Sequence, residues 1–248
     1  MKKFLTILFL LLVIIISFGF VFLRLEAQGG NNNYFNTHWR TVFARHELMR
    51  AMLGLHFDGD ARADYLGKSY GNIVVEVDSM ENSGLDNDSL DQLSQKISKA
   101  TGKIVTLDVS DQDIPYQASV TEQDIGKLVK QYRNHKKDEF GASFYVLILS
   151  QEEGSPKLLG LTHEEYGAVL FSDAIKNFSS NRLLITKAYE VSTLLHEFGH
   201  QLGLSHNQEK DCLMTEHAEQ DHTAKDDTTE IVSDFCEMEK QQIVNMNY

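Results

Sequence analysis

Three histidines and one glutamate stand close together in the pattern HExxHxxGxxH, which occupies residues 196–206. His196 and His200 are four residues apart, so on a helix their imidazoles lie on one face, with Glu197 beside them. Gly203 lets the chain turn sharply out of that helix, because glycine adopts a left-handed conformation at little cost, and the turn would bring His206 to the same point. Three protein ligands leave one position open for water, which is typical of a catalytic rather than a structural zinc site. The spacing therefore predicts that His196, His200 and His206 bind one catalytic Zn²⁺ ion.

Glu197 is the candidate catalytic residue of this motif. Neutral imidazole ligands leave the charge of zinc intact, so a bound water becomes acidic enough to lose a proton near neutral pH. Glu197 is placed to take that proton and to pass it to a leaving amine, while the metal polarises the scissile carbonyl. We therefore expect a zinc-dependent peptidase acting on peptide or protein substrates, with an endopeptidase as the primary interpretation. The alternative is a catalytically silent or latent surface zinc-binding or interaction protein, and the intact Glu197 argues against it.

The histidine motif resembles that of the metzincin zinc peptidases, in which a tight turn places a methionine beneath the metal. Met214 lies eight residues after His206 in the run DCLM, a spacing similar to that of matrixins and archaemetzincins. The resemblance implies that Met214 forms the floor of the site, and that a strand near residues 157–162 holds a substrate peptide in extended form by β-augmentation. It covers about residues 70–248, although only residues 196–214 are diagnostic. The similarity to archaemetzincins keeps an aminopeptidase open as a further alternative.

The two cysteines extend the comparison, because archaemetzincins resemble this chain but carry four cysteines that hold a second zinc ion. At the corresponding positions this sequence has Asn207, Cys212, Cys236 and Glu239, so two of the four ligands are missing. Two thiolates alone make a poor zinc site, and outside the membrane they can oxidise. The resemblance therefore implies a disulfide between Cys212 and Cys236, with two free buried thiols or a degenerate second metal site as alternatives.

The N-terminus carries an uncharged apolar run from Phe4 to Leu23. Such a run spans roughly 30 Å as a helix, the thickness of the hydrocarbon core of a bilayer. Lys2 and Lys3 before it favour a cytoplasmic N-terminus. We therefore expect residues 1–27 to be a single-pass membrane anchor, with the rest of the chain outside the cell. A cleaved signal peptide and a secreted protein are the alternative, although the sequence offers only a weak cleavage site.

Composition and charge exclude other classes of protein. The chain has 248 residues with 36 Asp and Glu against 23 Lys and Arg, a formal net charge of −13. Such an acidic chain repels phosphate backbones, so we expect no nucleic-acid partner. A hydrophobic share of 42% is enough to form a core and argues against disorder.

The pattern along the chain predicts a polar linker at residues 28–37, a helical N-terminal extension at 38–66 and a peptidase domain at 67–248. One helix is expected over residues 37–56 of the extension. In the domain, β-branched runs alternate with helical stretches, with strands expected at 73–77, 103–109, 144–149, 157–161 and 168–171, and helices at 89–100, 122–136 and 233–245. This alternation predicts an α/β fold, α+β and metzincin-like under the resemblance, with a twisted, mixed but mostly parallel sheet. The strand at 157–161 would be its antiparallel edge, and the histidine motif would lie on an active-site helix.

Two weaker signals lie outside the histidine motif. Residues 57–60 match the motif FxGD, by which astacin pro-segments resemble an aspartate-switched zymogen. Asp60 would then bind the zinc and enforce latency, but an ordinary Asp-Gly turn is the favoured interpretation. Residues 215–229 would form the wall of the S1′ pocket, and their charge suggests a preference for basic or small side chains.

Overall fold

The fold is built on one twisted sheet, seen in a computed structural model that describes residues 2–30, 32–135, 141–179, 183–209, 211–215 and 231–246. In that part of the chain the strands are β1 (Asn72–Ser79), β2 (Ile104–Val109), β3 (Ala142–Leu149), β4 (Gly160–His163) and β5 (Gly167–Phe171). Their order in the sheet is β2-β1-β3-β5-β4, and only the β4–β5 pair among them is antiparallel. This confirms the predicted α/β fold with a mostly parallel sheet and an antiparallel edge strand. That edge strand begins at Gly160, later than the predicted start at residue 157.

The helices of the described residues are α1 (Lys2–Gln28), α2 (Tyr34–His38), α3 (Arg40–Ala44), α4 (Glu47–Leu53), α5 (Arg62–Leu66), α6 (Asn87–Thr101), α7 (Glu122–Tyr132), α8 (Ser172–Phe178), α9 (Leu183–Gln201) and α10 (Glu237–Asn245). The helix predicted over 122–136 ends earlier, at the end of α7. The backbone N–H groups of Asn134 and His135 donate to the Glu76 carboxylate of β1, at 2.6 and 2.8 Å, instead of to carbonyls of a continuing helix.

Strand β3 and helix α9 both contribute buried residues to the main hydrophobic core. All eight residues of β3 are buried, as expected for a central strand of a parallel sheet that is covered on both faces. Phe198 of α9 is fully buried, and its ring meets those of Phe144 and Tyr65 edge-on, with centroids 4.9 and 5.3 Å apart. These contacts fix α9, which carries the histidine motif, against the centre of the sheet.

The N-terminal part differs from the sequence prediction. The single helix expected over 37–56 is wrong, because the chain forms the three short helices α2, α3 and α4 there. Two buried arginines accompany the breaks: Arg40 pairs with Asp60 at 2.5 Å and Arg50 with Asp64 at 2.6 Å. Helical structure also enters the predicted linker, because α1 ends at Gln28 and α2 begins at Tyr34. Helix α1 is long and apolar enough to cross a membrane. A signal sequence near the N-terminus has the same length and composition, so these features do not separate an anchor from a signal sequence.

A disulfide ties the C-terminal helix to the segment that follows the histidine motif. Cys212 and Cys236 are joined, as the resemblance implies, and Cys236 is the N-cap residue of α10. The bond closes a loop across 24 residues of sequence separation. Such a cross-link stabilises the fold by roughly 3 kcal/mol in the chain-entropy model.

Glu239 of α10 reinforces the same connection. Its Oε1 accepts hydrogen bonds from Asn207 Nδ2 at 3.0 Å and from the Met214 N–H at 2.7 Å. Its Oε2 accepts from the N–H groups of Leu213 at 3.2 Å and Cys236 at 2.9 Å. The Glu239 side chain is almost completely buried. The four N–H donors therefore share the Glu239 carboxylate as their hydrogen-bond acceptor.

Glu190 is another buried carboxyl, and it lies on α9. Its burial, together with the negative charge of Asp86, raises the pKa of Glu190 to about 7, and the lysines Lys176 and Lys187 only partly oppose this shift. The folded protein therefore holds a proton on Glu190 at pH values where the unfolded chain has released it.

We expect Glu239→Gln to lower the free energy of unfolding by about 3 kcal/mol, because the amide NH₂ faces buried N–H donors that lose their acceptor. Urea denaturation of the full chain in detergent measures the change. Glu237→Gln is the matched control, since Glu237 is exposed in the first turn of the same helix. Equal stability of the two variants would contradict the anchoring role of Glu239.

The Glu190 pKa predicts a pH dependence of stability. Between about pH 4.5 and 7 the folded state binds more protons at this site than the unfolded state, so its contribution to stability falls as the pH rises through that window. Glu190→Gln removes this loss, and we expect the variant to have a higher Tm than the wild type at pH 8 but a similar Tm at pH 4.5. Thermal unfolding at both pH values, with the exposed Glu81→Gln as control, tests this; a Tm difference that does not change with pH would refute it.

Candidate metal centre

His196 and His200 lie on α9, and both are buried. The Nδ1 atom of His196 is 2.7 Å from the carbonyl oxygen of Leu213, and the Nδ1 atom of His200 is 3.0 Å from that of Leu204. A ring nitrogen that faces a carbonyl carries the proton, so in the neutral imidazole the other nitrogen, Nε2, presents a lone pair. This is the hydrogen bonding that orients histidine ligands around a metal ion.

The third histidine reaches the same point through the turn at the end of α9. Gly203 has φ of +87°, the left-handed conformation expected from its place in the motif. Beyond it, His206 Nε2 lies 3.1 Å from the Nε2 atoms of both His196 and His200. Nitrogens that share a tetrahedral zinc ion at about 2.0 Å stand roughly 3.3 Å apart. The three imidazoles therefore have the donor type and spacing that a zinc ion requires.

Glu197 directly follows His196 on α9 and is fully buried. Its Oε2 accepts a hydrogen bond of 2.8 Å from Thr162 Oγ1 on the edge strand β4. The strand comes this close because Gly160 has no side chain: a Cβ there would lie 2.6 Å from Thr193 Cγ2 and 3.3 Å from Glu197 Oε1. The resemblance placed residue 162 at the end of the edge strand, but no sequence pattern indicated that its hydroxyl would hold the candidate base.

Met214 packs against α9 at Gly199. It is fully buried, and a Cβ on Gly199 would lie 2.4 Å from its sulfur, so only glycine at this helix position leaves room for the methionine. The Asn207 N–H donates to the Met214 carbonyl at 2.7 Å, which closes the turn below the histidines. The glycine inside HExxH is the one sequence signal for this packing, and it was not among the predicted site residues.

A cavity of about 460 Å³ opens at the histidines and is lined by Asp58, Thr162, His200, Leu204, Ser205 and His206. Asp58 comes from the N-terminal extension and was not predicted to belong to the site. Asp60, which the latency hypothesis would place on the metal, instead accepts hydrogen bonds from Arg40 and from the Phe57 N–H. The favoured Asp-Gly turn is therefore the arrangement found. Most of the expected S1′ wall, residues 216–229, lies outside the described residues.

Comparisons with known proteins found a family match and several similar solved structures. The sequence profile of Peptidase family M54 matches residues 94–242, which is more than half of the chain and includes the histidine motif. No match was found among curated protein sequences. The fold is similar to that of archaemetzincin from Methanopyrus kandleri, with 14% sequence identity and a TM-score of 0.49 over 72% of this chain and 96% of that chain.

Two further solved structures are similar to this chain. Archaemetzincin from Archaeoglobus fulgidus, complexed with malonate, has 17% identity and a TM-score of 0.45 over 69% of this chain and 99% of that chain. Metalloproteinase-II from Bacteroides fragilis has 13% identity and a TM-score of 0.47 over 73% of this chain and 54% of that chain. The family match and the histidine motif together lead to one conclusion: the chain belongs to Peptidase family M54 and is a zinc metallopeptidase.

Proposed function

We propose that His196, His200 and His206 bind one catalytic zinc ion, and that the protein uses it to hydrolyse internal peptide bonds outside the membrane. The observation that carries the proposal is the meeting of three Nε2 atoms, together with the buried carboxylate of Glu197, the residue that follows His196 on α9. The metal needs only the histidines, whereas a carboxylate in this place is needed for catalysis.

Zinc at this site would polarise the scissile carbonyl and make a water molecule acidic. Glu197 takes a proton from the attacking water and delivers it to the leaving nitrogen. The Thr162 hydroxyl holds Oε2 of Glu197 in place, so the carboxylate keeps its direction through both transfers. The backbone carbonyls that accept from the Nδ1 atoms of His196 and His200 keep the imidazoles in one tautomer.

The edge strand β4 supports cleavage within a chain rather than at its end. In the described part of the sheet, β4 pairs with β5 alone, so its outer edge is available to a substrate in extended form. Thr162 connects this strand directly to Glu197. A peptide added along β4 would pass the candidate base and continue beyond it in both directions.

Two features support a location outside the membrane. Helix α1 has the length and composition of a membrane anchor or a signal sequence. The disulfide between Cys212 and Cys236 is of a kind that persists in oxidising compartments and is rare in the cytosol. As a membrane anchor, α1 would hold the zinc site at the outer side of the membrane. As a signal sequence, it would direct a secreted protein to that same side.

Glu197→Gln tests catalysis separately from metal binding. We expect kcat on end-blocked peptides to fall by about 10²- to 10⁴-fold, because the amide cannot accept the proton, while one zinc per chain is retained. Cleavage of a library of N-acetylated, C-amidated peptides, together with metal analysis by mass spectrometry, measures both quantities. Glu81→Gln is the control, since Glu81 is exposed and does not line the cavity. Undiminished cleavage by Glu197→Gln would reject the assigned role.

His206→Ala tests the ligand set. Two imidazoles hold zinc more weakly than three, so we expect the zinc content after dialysis against a mild chelator to fall well below one per chain. His206 is exposed, and we expect circular dichroism to show an unchanged fold. His56→Ala is the control, because the His56 side chain is exposed and pairs with Glu165 instead. Full zinc retention by His206→Ala would exclude His206 as a ligand.

A further inference from the structure

The N-terminal extension is packed directly onto the turn that links the histidines. Gly59 has φ of +76°, and a Cβ there would lie 3.0 Å from the Cα of Gly203 and 3.4 Å from the carbonyl oxygen of His200. A Cβ on Gly203 would in turn lie 3.0 Å from Arg62 Nη1. Two glycines therefore face each other without side chains, which allows the backbone of the extension to touch the backbone of the metal-binding turn.

A buried ion pair inside the extension fixes the conformation of this segment. Asp60 accepts hydrogen bonds from Arg40 Nε at 2.8 Å and Nη2 at 2.5 Å, and also from the Phe57 N–H at 2.9 Å. The Arg40 guanidinium lies 3.8 Å above the centre of the Phe57 ring. Next to this turn, His56 Nδ1 is 3.3 Å from Glu165 Oε2, which connects the extension to the loop between β4 and β5.

Asp58 is the residue between these anchors. Its neighbours on both sides are fixed, and its own side chain is exposed at the cavity that His200 and His206 line. Among the described residues that line this cavity, Asp58 is the acidic one. A carboxylate held on a rigid turn is pre-organised to bind a cation without a further cost of ordering.

We propose that Asp58 is a specificity residue that binds a cationic group of the substrate, either an α-ammonium group or a Lys or Arg side chain, next to the scissile bond. The proposal rests on the peptidase function proposed above and adds a substrate class to it. The two sources share one chemistry, a protonated nitrogen that donates to a carboxylate. The two sources differ in the position of the bond that is cut. A bound side chain fits the internal cleavage proposed above, whereas a bound α-ammonium group would make the enzyme an aminopeptidase and would replace that part of the proposed function.

The test compares full-length wild type with Asp58→Asn on a set of peptides built from one neutral sequence. In each peptide of the set, a single lysine replaces one residue of the neutral sequence, and its position differs from peptide to peptide. Every peptide is made in two forms, one with a free N-terminus and one with an acetylated N-terminus. We expect wild type to favour cationic peptides over the neutral parent by about tenfold in kcat/KM, and Asp58→Asn to lose most of this ratio. Loss of the preference on acetylation identifies the α-ammonium group as the ligand. A preference that follows the lysine position in acetylated peptides identifies the side chain.

Control variants separate a local contact from general electrostatics. Asp111→Asn removes the same charge from an exposed residue that follows β2, at the opposite edge of the sheet from β4, and should keep the wild-type preference. Asp58→Lys should reverse the preference in favour of anionic peptides. Binding without turnover is measured by titration calorimetry of zinc-loaded Glu197→Gln, with and without Asp58→Asn, and should show the same charge selectivity.

Four results would overturn the proposal. If wild type cleaves neutral and cationic peptides equally, Asp58 has no role in substrate selection. The same holds if Asp58→Asn keeps the preference for cationic peptides. Both results leave the proposed peptidase function unaffected. An equal rise of activity on all peptides in Asp58→Asn would mean that Asp58 shields the metal site instead. Zinc-loaded wild type that cleaves no peptide at all would reject the proposed function, and this proposal with it.

Discussion

The site depends on the orientation of two imidazoles by backbone carbonyls. A zinc ligand must present a lone pair, and neutral imidazole has only one nitrogen that can do so. The carbonyls of Leu213 and Leu204 settle which one, because each faces an Nδ1 atom and requires its proton. The carbonyl of Leu213 can do this only if the turn beneath α9 is held in position. Much of the remaining structure serves to hold that turn.

A disulfide and a buried carboxylate in the C-terminal part of the chain hold the turn in position. The four positions that the archaemetzincin resemblance associates with a second zinc ion do meet in space, but Cys212 and Cys236 form a disulfide, and Asn207 donates to Glu239. Disulfide sulfurs are not thiolates, so this cluster lacks the ligands of a thiolate zinc site. Glu239 also accepts the backbone N–H groups of Leu213 and Met214, and so supports the segment whose carbonyl orients His196. A cross-link and a buried carboxylate thus do the work that a structural metal ion can do.

The N-terminal extension reaches the site from the other side. Its sequence pattern was sufficient to predict helical structure but not where the helices break. The single helix expected over residues 37–56 satisfies the apolar spacing, yet it takes no account of two arginines that are buried and paired with acidic residues further along the chain. These pairings lie within the extension and fix its path, while Gly59 packs on the turn at Gly203 and Asp58 lines the cavity. The extension therefore contributes one side chain, Asp58, to the lining of the cavity at the histidines.

The sequence by itself determined the features that depend on local spacing. Two histidines four residues apart share a helix face, a glycine ends that helix, and runs of β-branched residues form strands, so the zinc motif and the order of the elements could be predicted. Only the tertiary structure decided the contacts between residues far apart in sequence. Three such contacts arise from how the sheet, α9 and the extension pack: the hydrogen bond from Thr162 to Glu197, the hydrogen bond between His196 and the carbonyl of Leu213, and the position of Asp58 at the cavity. No short sequence pattern encodes them. The physical reason is that a hydrogen bond requires two groups within about 3 Å, and packing alone brings such distant residues together.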